Sequence, residues 1–381
     1  MRKALNMDLI YNMFSAANMH RWNDHLRPMD LTELDKQAHK MVIAWVLAKF
    51  EESEKKAKID WKRLIEHSMF SFIRRLIITD LKPQLFHRVV KEKGKEVNKY
   101  VIEEFDKLVP TMDTGFRKRL ESWLNDYLDA DLKSKEDRLI RAAHYLATSW
   151  EFKLVYNANP AMYGIDKTKG DIERQIREYA DIYGVIRLFF GKDTFDFIDL
   201  CGQLRFQQRW TRTPRIPQTT VLGHMLMVAN MTYLHDLDIK ADDHTIYKDY
   251  FTALFHDLPE VLTKDVITPI KKSIGGLDEL LSEYEKEMVS SSLLPLLPEE
   301  WHEDFHSMID DPFKDSEGRN GKAIKVCDLM AAYIEAHVSE CYGISSKVLI
   351  NGKAELKRKL LSSKAGIDTE GLIERLNEMD I

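Results

Sequence analysis

The chain has 381 residues, 44% of them hydrophobic and 31% charged, with a formal net charge of −6. That balance excludes a disordered polymer and gives enough apolar mass for a sizeable core, about two domains by length. It also excludes the global basic excess of a duplex-binding protein, while leaving room for a local basic pocket that takes a small phosphate.

At the N-terminus, MRKALNMDLIYNMF carries acidic and amide residues too early for a secretory apolar region, and no small-residue cleavage site follows. Apolar residues then recur at three- and four-residue steps over 34–52, 60–78, 135–155, 171–190, 219–234, 245–262 and 321–338, which predicts a helix in each stretch. Strand-like alternation bounded by turn pairs is nearly absent, so the expected fold class is all-α. The turn-rich run from Asn157 to Gly164 is the expected boundary between two domains, 1–165 and 170–381, the second ending in a helical extension. No apolar run approaches the roughly 18 residues that span a bilayer. Cys201, Cys327 and Cys341 form no C-x-x-C pair, so neither a disulfide framework nor a zinc knuckle is expected. These features together suggest a reduced, cytoplasmic protein.

The two halves read as a diverged duplication. Arg21-Trp22 answers Arg209-Trp210, His39 answers His224, and His67 answers His256. Thr79-Asp80 answers Lys264-Asp265, each with a proline following. His144 answers Asp328, and a glutamate stands seven residues further on in both halves, Glu151 and Glu335.

In the second half, His224, His256, Asp257 and Asp328 are all placed on expected helices. Two imidazoles and two carboxylates suit a divalent ion such as Co²⁺, Mn²⁺, Zn²⁺, Fe²⁺ or Mg²⁺. An H-D pair alone is weak, and His235-Asp236 is another that is assigned no role. What distinguishes His256-Asp257 is Glu260 at i+4, placed to share a helical face with His256. Asp328 interrupts an otherwise apolar helix, where an unpaired carboxylate is costly.

Arg209-Trp210, His224 fifteen residues after the arginine, the run H-D-L-P-E-V-L-T-K-D-V-I-T-P-I-K from His256 to Lys271, and Lys325-Val-Cys-Asp328 together resemble the bacterial 5′-deoxynucleotidase family of the HD superfamily. The resemblance covers about 140 residues and implies an HD-domain helical bundle, in two tandem HD-like copies given the duplication. The implied reaction removes phosphate from deoxyribonucleoside 5′-monophosphates with one divalent ion. His224, His256, Asp257 and Asp328 would be its ligands, with Asp257 and Glu260 at the chemistry, Glu260 as general base. Arg209 would clamp the phosphate, Asp265 would accept from a sugar hydroxyl, and Trp210 would pack against the sugar; Lys271 is a weaker phosphate candidate. The segment before His224 lacks the acidic residues usual there, and Met225 stands where the family tends to have Ser, which bears on selectivity more than on metal binding.

In the first half, Ser68, Ser71 and His144 stand opposite Asp257, Glu260 and Asp328. This half therefore reads as a pseudo-domain kept for packing, pairing or regulation, and a three-histidine site from His39, His67 and His144 is the sharper alternative. Members of that family pair as dimers, so the resemblance implies a homo-oligomer or an internal partner supplied by the duplication. A nucleotide is the expected small-molecule partner, with no membrane and no stable nucleic-acid partner. The rival readings are a deoxynucleoside triphosphate hydrolase or phosphodiesterase, which the same ion chemistry serves, and a nucleotide-sensing regulatory protein.

Overall fold

A computed structural model describes residues 2–79, 83–126, 128, 134–190, 192–263 and 276–381. Among them the chain is all-α: no strand forms, only isolated bridges. Seventeen helices are used below as α1 (Met7–Phe14), α2 (Glu33–Lys55), α3 (Trp61–Ile78), α4 (Pro83–Leu108), α5 (Thr114–Asp126), α6 (Lys135–Ala158), α7 (Ile165–Arg177), α8 (Tyr183–Phe190), α9 (Lys192–Gln203), α10 (Val221–Ile239), α11 (Asp243–Phe255), α12 (Glu260–Thr263), α13 (Leu277–Met288), α14 (His302–Ile309), α15 (Gly321–Cys341), α16 (Lys347–Leu361) and α17 (Thr369–Glu378). No helix among the described residues is long and apolar enough to cross a membrane.

Local chemistry fixes the helix ends. Thr32 and Thr220 cap α2 and α10 by accepting from the backbone N–H three residues on, and Asp60 and Asp242 cap α3 and α11 in the same way. At their C-terminal ends α2 and α10 stop at Lys56 and Lys240, both left-handed, with φ of 52° and 57°. The expected single helix over 171–190 is two, α7 and α8. The expected helix over 245–262 also breaks. The α11 helix ends at Phe255, residues 256–259 form a turn, and α12 restarts at Glu260. Pro259 accounts for the break, because it lacks an N–H and disfavours helical geometry at the residue before it.

The core is shared by both halves. The α2 helix, buried along nearly its whole length, packs against α6, α8 and α10, and α10 packs in turn against α11 and α15. Trp45 of α2 stacks among Phe197, Phe251, Phe255, Trp301 and Phe305, so aromatic side chains of the second half close over a residue of the first. Where α2 and α10 cross, a Cβ on Gly223 would come within 2.9 Å of Asp35 and 3.1 Å of Leu34, so the close approach requires glycine. The turn-rich stretch near 160 does end α6, and Gly164, at φ 82°, starts α7. One continuous hydrophobic cluster nevertheless runs through residues on both sides of it.

Repeated geometry appears on each side of that stretch. Trp22 and Trp210 both adopt positive φ, 55° and 56°. The bridges His20–Thr32 and Gln208–Thr220 close equivalent loops. Trp22 donates to Glu151 at 3.1 Å as Trp210 does to Glu335 at 2.9 Å. Arg21 and Arg209 pair with the same two glutamates.

Candidate metal and phosphate site

Four side chains of the second half converge from three segments. His224 lies one turn into α10, four residues past its N-cap Thr220. His256 and Asp257 sit where α11 gives way to the Pro259 turn, and Asp328 lies on α15. His224, His256 and Asp257 bring ligand atoms to within 4.8 Å of one another. Asp328 Oδ1 approaches from another side, 3.0 Å from His224 Nε2 and 4.0 Å from His256 Nε2. Asp257 Oδ2 is 3.3 Å from His256 Nε2 and 4.0 Å from His224 Nε2.

These residues suit a divalent cation. The backbone carbonyl of Ala253, 2.7 Å from His256 Nδ1, can only accept, so Nδ1 carries the proton and Nε2 presents a lone pair. That Nε2 is buried and has no hydrogen-bond partner. It points at two carboxylates and a second imidazole, the donor set of a borderline divalent ion. Behind His224, Glu335 Oε1 lies 3.9 Å from Nδ1, too far for a hydrogen bond, and acts on the ring through its charge.

The electrostatics are polarised. Burial and the Arg209 cation push His224 below the usual histidine range. Burial would lower His256 too, but Asp257 and Asp328 outweigh it and hold it up. Burial opposes ionisation of Asp257 and Asp328, yet the neighbouring histidines, with Lys325 for Asp328, keep both carboxyls below their ordinary range. Arg209 stays charged: Glu335, Asp257, Asp328 and Glu260 overcome its burial. Its Nε lies 3.2 Å from Glu335 and its Nη1 3.6 Å from Asp257, so the guanidinium sits at the edge of the His/Asp cluster. A cleft of about 340 Å³, bordered by Arg209, Trp210, Arg212 and Arg215, opens beside it.

The other expected residues fall out as follows. Glu260 is half-buried, and its field reaches Arg209. It does not share a continuous helix with His256, as its i+4 spacing had implied, because the Pro259 turn intervenes. Trp210 is held by Glu335 and lies with its ring edge against Gly352, in the manner of an anchor. Asp265 and Lys271 lie outside the described residues. Asp236, of the second H-D pair, is fully buried beside Asp249 on α11, away from the cluster.

Sequence reading gave no site role to Glu335, Lys325, Thr219 or Gln207. Lys325 bonds Asp328 Oδ2 at 2.7 Å and lies 4.0 Å from the Phe313 ring centre. Thr219 donates to Glu335 at 2.8 Å, and Gln207 Nε2 donates to the backbone carbonyl of Glu260 at 3.0 Å. The helical spacing from Asp328, three residues back to Lys325 and seven on to Glu335, was the available signal for two of them.

Two first-half pairings are corrected by the caps. Four residues past Thr32 stands Lys36, not His39, so Lys36 is the counterpart of His224. His39 lies seven residues past its cap, so matching histidine to histidine set the two helices three residues out of register. His256 and Asp257 lie fourteen and fifteen residues past Asp242, and the same count from Asp60 reaches Arg74 and Arg75, not His67 and Ser68. The three-histidine alternative fails as well. His39 is buried against the Ile198 carbonyl and Arg205, whereas His67 bonds Asp137 at 2.9 Å and His144 lies against Lys36.

Residues 201–359 match the family model of the HD domain. By sequence the chain is similar to a 5′-deoxynucleotidase of Pasteurella multocida, 26% identical over 180 residues, which covers 45% of this chain and 82% of that protein. It is similar to one from Pectobacterium atrosepticum at 27% over 138 residues, 35% of this chain and 67% of that protein. A third, from Yersinia pestis, is 26% identical over 164 residues, 42% of this chain and 80% of that protein. The matched region contains His224, His256, Asp257 and Asp328, and the chain is an HD-type phosphohydrolase resembling the 5′-deoxynucleotidases.

Proposed function

We propose that the second half removes phosphate from nucleotides, with deoxyribonucleoside 5′-monophosphates as the preferred substrates. The observation that carries this reading is the convergence of His224 Nε2, His256 Nε2, Asp257 Oδ2 and Asp328 Oδ1 beside a charged Arg209. His224, His256, Asp257 and Asp328 would hold one divalent ion. Such an ion, when bound, lowers the pKa of a coordinated water and withdraws charge from a phosphoryl group.

The rest of the reaction is assigned to side chains of this chain. Arg209, fixed by Glu335, offers its guanidinium to the phosphate oxygens. Glu260 takes the proton of the attacking water. The backbone of Glu260 is held on both sides, its N–H on the Asp257 carbonyl at 3.1 Å and its carbonyl under Gln207. Trp210, anchored on Glu335, packs against the sugar, and Asp265 accepts from a sugar hydroxyl. The 5′-deoxynucleotidase names of the similar proteins support the monophosphate assignment. We also propose that the chain comprises two tandem HD-like units, 1–165 and 170–381, which the repeated Arg–Trp–Glu geometry supports.

The test is a panel of deoxy- and ribonucleoside mono-, di- and triphosphates assayed with Co²⁺, Mn²⁺ and Mg²⁺, with products separated by chromatography. Deoxyribonucleoside monophosphates should turn over fastest and release inorganic phosphate. Triphosphate or pyrophosphate as the main product would move the enzyme to the triphosphate-hydrolase class.

A further inference from the structure

The first-half positions that answer the metal site carry basic side chains. Lys36 replaces His224, Arg75 replaces Asp257 and His144 replaces Asp328, while Arg21 repeats Arg209. Lys40, one turn beyond Lys36 on α2, adds a second buried ammonium. Lys36 Nζ meets the His144 ring, as His224 meets Asp328 in the other half. Lys40 Nζ bonds Ser71 Oγ at 2.9 Å and the Ser68 carbonyl at 3.4 Å.

Glu33 takes Arg21 at 2.7 Å and Arg75 at 3.3 Å, and Glu151 takes Arg21 at 2.8 Å and Arg205 at 3.0 Å. Both carboxylates are thereby committed to guanidinium groups. Among the described residues neither Lys36 nor Lys40 has a carboxylate within 4.0 Å, though both side chains are buried. Glu33 acts on both lysines through its charge, and Glu151 on Lys36, but neither forms an ion pair with them, and burial outweighs that support. The cluster is also within reach of solvent, since His144 is exposed and the Arg75 side chain is about a quarter exposed.

We propose that Lys36, Lys40, Arg75 and His144 form an anion site in the first half that takes a phosphate group, either free phosphate or the phosphate of a nucleoside monophosphate. An anion seated there favours the protonated form of both amines and accepts a hydrogen bond from each. Burial, with the nearby Arg21, already drives Lys36 well below its ordinary range, and burial brings Lys40 down to about 7, so both are strained in the direction an anion relieves. The anion site rests on the convergence of Lys36, Lys40, Arg75 and His144, and on the lack of an ion pair to either lysine among the described residues. The choice of phosphate rests on the reading of Arg209 above, because fixed cations here occupy the places of an ion that would face a phosphoryl group.

The test uses the full chain carrying Asp257→Ala, so that the second-half site is disabled, with calorimetric titration of inorganic phosphate, a deoxynucleoside 5′-monophosphate and acetate. The expected result is one phosphate per chain, with acetate at least about tenfold weaker. Tighter binding of the nucleotide than of phosphate identifies the nucleotide as the source, and equal binding identifies free phosphate; both support the site. Adding Lys36→Met and Lys40→Met should weaken phosphate by about tenfold or more without lowering the melting temperature, because two buried amines that lack an ion pair are removed. If the double variant does not fold, Arg75→Gln at the partly exposed mouth serves in its place. No phosphate binding, or binding unchanged in these variants, overturns the site. Equal affinity for acetate overturns the phosphate assignment and leaves the turnover reading, measured on the wild-type chain, unaffected.

Discussion

Glu335 stands directly behind His224, its Oε1 3.9 Å from Nδ1, while its carboxylate also takes Arg209, Trp210 and Thr219. One buried anion therefore fixes the candidate phosphate clamp and lends its charge to a candidate ligand. Arg209 and its neighbours hold that carboxyl down at about 2, so it is charged throughout the working range. Glu335→Ala removes the main partner of buried Arg209, leaving Asp257 at 3.6 Å, and should cost up to roughly 3–5 kcal/mol of stability. Metal affinity should fall about 10–100-fold through loss of the support behind His224. Thermal melts and metal titration of the variant check both effects, and a variant unchanged in both would make the contact incidental.

Metal stoichiometry follows from the charge inversion between the halves. His224, His256, Asp257 and Asp328 present lone pairs and anions, whereas Lys36, Arg74, Arg75 and His144 stand at the answering positions. The purified chain should hold one divalent ion, and His256→Ala should hold close to none. Elemental analysis decides this. Two ions per chain, or undiminished content in His256→Ala, would sink the assignment.

The Asp236–Asp249 pair gives a stability-versus-pH prediction away from the site. Asp236 is fully buried, and burial with the neighbouring Asp249 raises it from 3.8 to about 10, while burial raises Asp249 to about 6. The folded chain thus keeps a proton that the unfolded chain sheds above about pH 4. The stability attached to this pair is greatest below that pH and is lost as pH rises toward 10. Asp236→Asn keeps a donor toward Asp249 without needing the proton. Its melting temperature should match the wild type near pH 5 and exceed it by about 2–4 °C at pH 8.5, a difference on the order of 1 kcal/mol. Parallel pH dependence in the two proteins would exclude the shared proton.

The four metal-site candidates were legible because their chemistry is local. A histidine or aspartate on an apolar helix announces itself through its cost, and the H-D-L-P-E run fixes its own register. The all-α class was legible for the same reason, through helical periodicity. The first-half pairing was not. Matching histidine to histidine slipped the register by three residues, and only the caps Thr32 and Thr220 reveal that Lys36 stands where His224 does. Glu335 was visible as a matched position, but its function depends on a loop 126 residues earlier that folds back to place Arg209 beside it. The i+4 reading of Glu260 failed at Pro259, whose effect on the backbone outweighed the spacing.

Glu260 separates binding from catalysis. Its backbone is held by Asp257 and Gln207, so removing the side chain leaves the turn in place. If the carboxylate takes the proton of the attacking water, Glu260→Ala should retain metal content and substrate affinity. Its kcat should fall by roughly 10²–10⁴-fold, the usual worth of a positioned base. Asp257→Ala should instead lose the metal, because an anionic ligand is removed. Gln207→Ala, which frees only the backbone of Glu260, should lower kcat less than Glu260→Ala does and leave metal content unchanged. Metal analysis, KM and kcat on the three variants resolve the roles. Near-normal kcat in Glu260→Ala would assign proton transfer to another group, and metal loss in that variant would make Glu260 a ligand in its own right.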